Sequence, residues 1–98
     1  MTGGLPETGS SETRVITVRY WAAARAATGN ATETVPVPGP MTLAELTRVL
    51  VARHPAAERV LGVCSVLVGD QPVRSADPAG VLLEPGTTVE FLPPFAGG

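Results

Sequence analysis

Ile16, Val18 and Tyr20 alternate with Thr17 and Arg19, the period of two that sends one set of side chains to a core and the other outward. A strand is therefore predicted from Arg14 to about Trp21. Ala22 to Ala27 is alanine-rich and favours a short helical turn, closed by Gly29-Asn30, a pair that takes positive φ readily. Thr34, Val35 and Val37 predict a second strand, which Pro38-Gly39-Pro40 must end because proline has no N–H for a ladder. The pattern then changes period. Thr42 followed by Glu45 three residues later reads as a capping box, and Leu43, Leu46 and Leu50, widened by Val49, form one apolar helical face. Arg48 and Arg53 lie on its flanks, and Pro55 stops the helix at about His54.

A further strand is predicted at Val63 to Val68, turned by Gly69-Asp70-Gln71-Pro72 into a short stretch around Val73. Residues 75–80 read as a loop, Pro85-Gly86 as a tight turn, and Thr88 to Leu92 as the last strand. The order β-β-α-β-(β)-β predicts an α+β fold: one main helix on one face of a mixed sheet of four to five strands, which needs only a single two-layer core. The first and last strands, the most apolar, are expected side by side in its centre. Leu92 then ends a strand and residues 93–98 project as a flexible tail. Residues 1–13, rich in Gly, Ser, Thr and Glu, bury little and are expected to be a disordered lead, leaving 14–92 as the domain.

Composition narrows the function classes. At 98 residues, 44% hydrophobic and a mean hydropathy of +0.22, the chain has room for one small domain. A net charge of -2 gives no basic field for nucleic acid. All seven basic residues are arginine, so no lysine is available to accept an isopeptide bond. The single cysteine, Cys64, excludes an internal disulfide and agrees with a reducing compartment. No apolar run approaches the roughly 18 residues that span a bilayer, and the N-terminus lacks a basic and apolar leader. The expected setting is cytoplasmic, without membrane or nucleic acid.

Most chemistry-bearing residues read as structural. Cys64 and His54 lack a third, orienting residue, Asp70 and Asp77 sit in turns where aspartate bonds its own backbone, and no metal is expected. Arg25, just after the first strand, reads as structural before functional. Leu5-Pro6-Glu7-Thr8-Gly9 is similar to a sortase signal but lacks the membrane segment such a signal needs, and reads as a chance match. The terminal Phe91-Leu-Pro-Pro-Phe-Ala-Gly-Gly98 is different in kind. Pro93 and Pro94 fix φ and favour an extended path, whereas Gly97 and Gly98 carry no Cβ. The five residues from Pro94 to Gly98 reach roughly 17 Å when extended, enough to thread a channel. If Val89 and Phe91 face inward, Leu92 and Phe95 remain for a contact patch; Phe91 itself reads equally as core or as interface.

The final PPFAGG, the opening VRYWAAARAATG, the helix entered through Pro-Met-Thr-Leu, and the run from Leu83-Glu84-Pro85-Gly86 to Phe91 together resemble the MoaD/ThiS family of ubiquitin-like sulfur carriers, and within it the molybdopterin synthase small subunits. The likeness covers about residues 14–98. It implies a ubiquitin-like β-grasp fold, and adenylation of Gly98 by an ATP-using, E1-like activating enzyme. Sulfur delivery by a sulfurtransferase would then give a thiocarboxylate for molybdenum cofactor biosynthesis. Catalytic acids and bases would belong to the large catalytic subunit of molybdopterin synthase, into which Pro93, Pro94, Ala96 and Gly97 would lead the terminus. The chain would bind no cofactor itself, ATP being used by the activating enzyme. Carriage of sulfur for thiamin or cysteine, or a role as a protein modifier or adaptor, stays open at this point.

Overall fold

The computed structural model describes residues 14–73 and 77–94. Its elements are β1 (Val15–Tyr20), α1 (Ala22–Thr28), β2 (Thr32–Pro36), β3 (Met41–Thr42), α2 (Leu43–Arg53), α3 (Glu58–Val63), β4 (Ser65–Val68), β5 (Gln71–Pro72), β6 (Leu82–Leu83) and β7 (Thr88–Leu92). Single 3-10 turns stand at Pro55–Ala57 and Pro78–Gly80. Five strands form one mixed sheet in the order β2-β1-β7-β4-β5, and β3 pairs with β6 in a separate two-stranded ribbon. The first and last strands are central and parallel, Thr17 opposite Thr88 and Tyr20 opposite Phe91, while β2 and β4 flank them antiparallel.

Alternation fixes which side of the sheet is filled. Ile16 and Val18 on β1 and Val89 and Phe91 on β7 are essentially inaccessible, and they pack with Leu43, Leu46 and Leu50 of α2 into one core. The capping box forms as expected: the Glu45 N–H donates to Thr42 Oγ1 at 3.1 Å and the Thr42 N–H donates to Glu45 Oε1 at 2.8 Å. These bonds hold the Glu45 carboxyl below the usual carboxylate range, its contacts with the Thr42 backbone first. α2 ends at Arg53, in front of Pro55.

Three expectations change. The strand expected at Val63 to Val68 starts at Ser65, because Pro55 begins a 3-10 turn that continues into α3 through Val63. Ala57 and Leu61, spaced as i and i+4, bury one face of this segment, so a third helical segment joins the short turn at Ala22 and the main helix that were expected. The hairpin turn is shorter than Gly69 to Pro72: Gly69 and Asp70 both have positive φ, as a two-residue turn matching strand twist requires, and Gln71 and Pro72 are already paired with β4. Phe91 belongs to the core. At 1% exposure its side chain is unavailable to a partner, because its place in the pleat puts it beside Tyr20 on the face that the helices cover.

Candidate functional site

β7 is both the spine of the sheet and the segment that delivers the terminus. It is hydrogen-bonded on both sides, to β1 and β4, and the Trp21 N–H adds a bond to the Phe91 carbonyl at 3.1 Å just where the strand ends. Leu92, opposite Ser65 of β4, points to the face away from the helices and is half-buried. Pro93 is still buried against the domain and Pro94 is exposed, so the chain leaves the body one residue later than a boundary at 93. Of the tail residues singled out in the sequence, Phe95, Ala96, Gly97 and Gly98 lie outside the described residues.

The open face beside this exit is patterned. Thr17, Arg19, Thr88, Glu90, Leu92, Ser65 and Leu67 alternate with core residues and so point away from the helices. Trp21 lies at its rim, 43% exposed, with its indole N–H donating to Glu90 Oε1 at 2.9 Å and the Arg19 guanidinium 5.2 Å from its ring centre. The amphipathic ring is thus held from both sides in one orientation while part of its surface stays accessible next to the departing chain. Sequence reading treated Trp21 only as the end of a strand. The available signal was its phase: it follows Tyr20, an inward position, and therefore has to emerge outward.

The backbone at this corner is unusual. Ala22 has φ 50, a region that L-residues other than glycine rarely occupy, and it directs the chain from β1 into α1. Gly29, with φ 76, closes α1 by donating its N–H to the Arg25 carbonyl.

The titratable residues are gathered elsewhere, on the helix side of the sheet edge. Glu33 of β2 accepts from Tyr20 Oη at 2.5 Å, from His54 Nε2 at 2.7 Å and from Arg53 at 2.9 Å. Burial alone would raise its pKa, but the bonds from Tyr20, Arg53 and His54 outweigh that and hold it below the ordinary value. Tyr20 moves the other way, pushed up by burial and by the bond to the Glu33 carboxylate. Cys64 is half-buried with its thiol donating to the Val60 carbonyl at 3.1 Å, and burial pushes its pKa up to about 11. His54 thus serves Glu33, and its pairing with Cys64 set aside in the sequence is absent. Asp77 caps a 3-10 turn through the Ala79 N–H, and Arg25 lies exposed in the last turn of α1. Among the described residues no three His, Cys, Asp or Glu groups gather to hold a metal, and no helix is long and apolar enough to cross a membrane.

The body therefore presents a shaped open face and an exiting strand. Residues 18–98 match the family model described as the ThiS family. The molybdopterin synthase sulfur carrier subunit of Emericella nidulans is 34% identical, over 83% of this chain and 94% of its own length, and that of Aspergillus niger is 35% identical over 83% and 91%. The small archaeal modifier protein SAMP1 of Haloferax volcanii superposes with a TM-score of 0.73 at 26% identity, over 86% of this chain and 99% of its own, which establishes the ubiquitin-like β-grasp fold. The chain belongs to the ThiS family.

Proposed function

We propose that this chain is the sulfur-carrying small subunit of a molybdopterin synthase, with sulfur held as a thiocarboxylate on Gly98. The observation that carries this is the course of β7: a central strand clamped on both sides releases the chain at Pro94, four residues before Gly98. Two relatives named as sulfur carrier subunits, at 34% and 35% identity, support the choice of pathway. In this reading the Gly98 carboxylate oxygen attacks the α-phosphorus of ATP on an activating enzyme, pyrophosphate leaves, and a sulfur nucleophile then displaces AMP from the carbonyl carbon. A sulfurtransferase supplies that sulfur. The larger subunit receives the tail and holds the catalytic groups, and Trp21, Leu92 and Phe95 form the contact that seats it.

The test is intact mass. Coexpressed with its activating enzyme and a sulfur source, the chain gains the mass difference between sulfur and oxygen at Gly98, and a chain lacking Gly98 gains nothing while staying folded. An unmodified full-length chain under conditions that yield its adenylate refutes the proposal. A second reading, as a protein modifier, is favoured by the likeness to the archaeal modifier. It predicts instead that the chain is recovered linked to lysines of other proteins.

A further inference from the structure

An activated acyl group at Gly98 is open to any good nucleophile, and the richest supply at protein concentrations in a reaction is the carrier itself. Four side-chain types compete under mild conditions: amine, thiol, phenol and imidazole. This chain has no lysine, and it has one cysteine, one tyrosine and one histidine. Each of those three is engaged internally. Cys64 Sγ donates to the Val60 carbonyl at 3.1 Å; Tyr20 is 3% exposed and its hydroxyl donates to Glu33; His54 Nε2 lies 2.7 Å from the same carboxylate, with its side chain 18% exposed.

The choice of arginine is not explained by packing alone. Arg14 reaches the Pro38 carbonyl, Arg19 lies over Trp21, and Arg53 bonds both Glu33 and the Thr34 carbonyl, uses that suit a planar guanidinium. Arg25 and Arg59, by contrast, are exposed and make no side-chain hydrogen bond or ion pair with the described residues, so a lysine would serve their structural role as well. A guanidinium remains protonated throughout the working pH range and does not attack acyl groups.

We propose that the folded body insulates its activated terminus from its own side chains: it offers no side-chain amine and keeps its thiol, phenol and imidazole in internal hydrogen bonds, so that no side chain of the body takes the Gly98 acyl group before an external sulfur nucleophile does. This rests on the carrier reading and adds a chemoselectivity that the reading does not require. The reaction suppressed is attack of a side-chain amine on the Gly98 carbonyl carbon, with formation of an amide and departure of the activating group together with the proton from nitrogen. The reaction kept is attack by sulfide, which forms the C–S bond of the thiocarboxylate with the same departure.

The experiment uses the full chain prepared chemically with Gly98 as the thioester of a small thiol, incubated alone at pH 8 and 9 and followed by intact mass and peptide mapping. With the N-terminal α-amine acetylated in every sample, since at this pH it is itself a free amine, the wild-type chain loses its acyl group to water without forming dimers, and converts to the thiocarboxylate when sodium sulfide is added. Arg25→Lys and Arg59→Lys chains form amide-linked dimers that wild type does not, and their rate rises roughly tenfold from pH 8 to 9 as the free amine fraction does. Ser65→Cys, which adds a thiol at an exposed position beside Cys64, captures the acyl group by exchange where Cys64 does not. Wild-type dimers formed as fast as the lysine variants', or acylation mapped to Cys64, Tyr20 or His54, overturn the proposal; so do lysine variants that form none. Because the thioester is made without any enzyme, this outcome is independent of the ATP-dependent mass shift that tests the carrier reading.

Discussion

Glu33 is an inward-facing carboxylate on an edge strand, and replacing it by alanine should be far more costly than its place near the surface suggests. Its side chain is 14% exposed and accepts three bonds, from Tyr20, His54 and Arg53. Tyr20 is 3% exposed, so its hydroxyl would lose its acceptor inside the protein, at a cost of about 1–3 kcal/mol. The Arg53 guanidinium, 37% exposed, contributes well under about 1 kcal/mol, and the less exposed His54 contact about 1 kcal/mol. The total is about 3 kcal/mol, on the order of a 15 °C fall in Tm for a domain of this size. Urea unfolding followed by far-UV circular dichroism measures it directly.

The pH dependence supplies a sharper test of the cause. The folded-state pKa of Glu33 lies below the ordinary 4.5, so the carboxylate stabilises the fold fully above that value, and the contribution is lost as pH falls through the lower folded value. Tyr20 is shifted upward from 10.0, which means stability present below pH 10 is lost above it as the unfolded chain ionises first. The difference between wild type and Glu33→Ala should therefore hold through neutral pH and shrink on the acid side. A difference below about 1 kcal/mol at pH 7, or one that does not shrink with acid, would show that the three bonds do not act as argued.

The two residues at the end of β7 should separate. Phe91→Ala empties a core site and costs about 3–5 kcal/mol, whereas Leu92→Ala, on the open face, costs about 1 kcal/mol or less and should instead weaken capture of the larger subunit in a binding titration. Ala22→Val should destabilise by about 1–2 kcal/mol although the site is exposed, since a β-branched residue tolerates φ 50 poorly; an unchanged Tm counts against the positive φ. Pro36→Thr should leave stability within about 0.5 kcal/mol and increase self-association seen by sedimentation, because the substitution restores a donor on the open edge of β2.

That last substitution shows how sequence signals combine in this chain. Val37 donates its N–H to the Arg14 carbonyl, so the neighbouring residues 36 and 38 turn their nitrogens outward, where no bond is required. Pro36, inside the strand, and Pro38, which ended it in the sequence, thus both blunt the sheet edge, a role that becomes visible only when β2 is known to be outermost. The capped helix and its three leucines were legible because period and capping chemistry are local, and the central place of the first and last strands because they are the most apolar. α3 was not, since Ala57 and Leu61 make too short an apolar pattern to stand out beside the β-branched run that follows, and only packing selects helix there. The ribbon of β3 and β6 was equally hidden, as two-residue strands carry no period at all.

The site was legible to a different extent on its two sides. The paired prolines mark where the chain leaves the sheet, and the structure follows them to an exposed Pro94, while Gly97 and Gly98 lie outside the described residues; the surface beside that exit depends on phase. Phe91 and Leu92 are adjacent and both apolar, yet one closes the core and the other faces outward, and β7 alternation decides between them. Trp21 follows from the same reasoning applied to β1, with Glu90 and Arg19 holding the ring from the neighbouring positions. Since β1 and β7 are parallel and end together, the residue that leaves β1 and the residue that leaves β7 are brought to one corner of the sheet. Trp21 and the exit of the chain at Pro94 are thus fixed by the same pair of strands, so a change that shifts their register moves both at once.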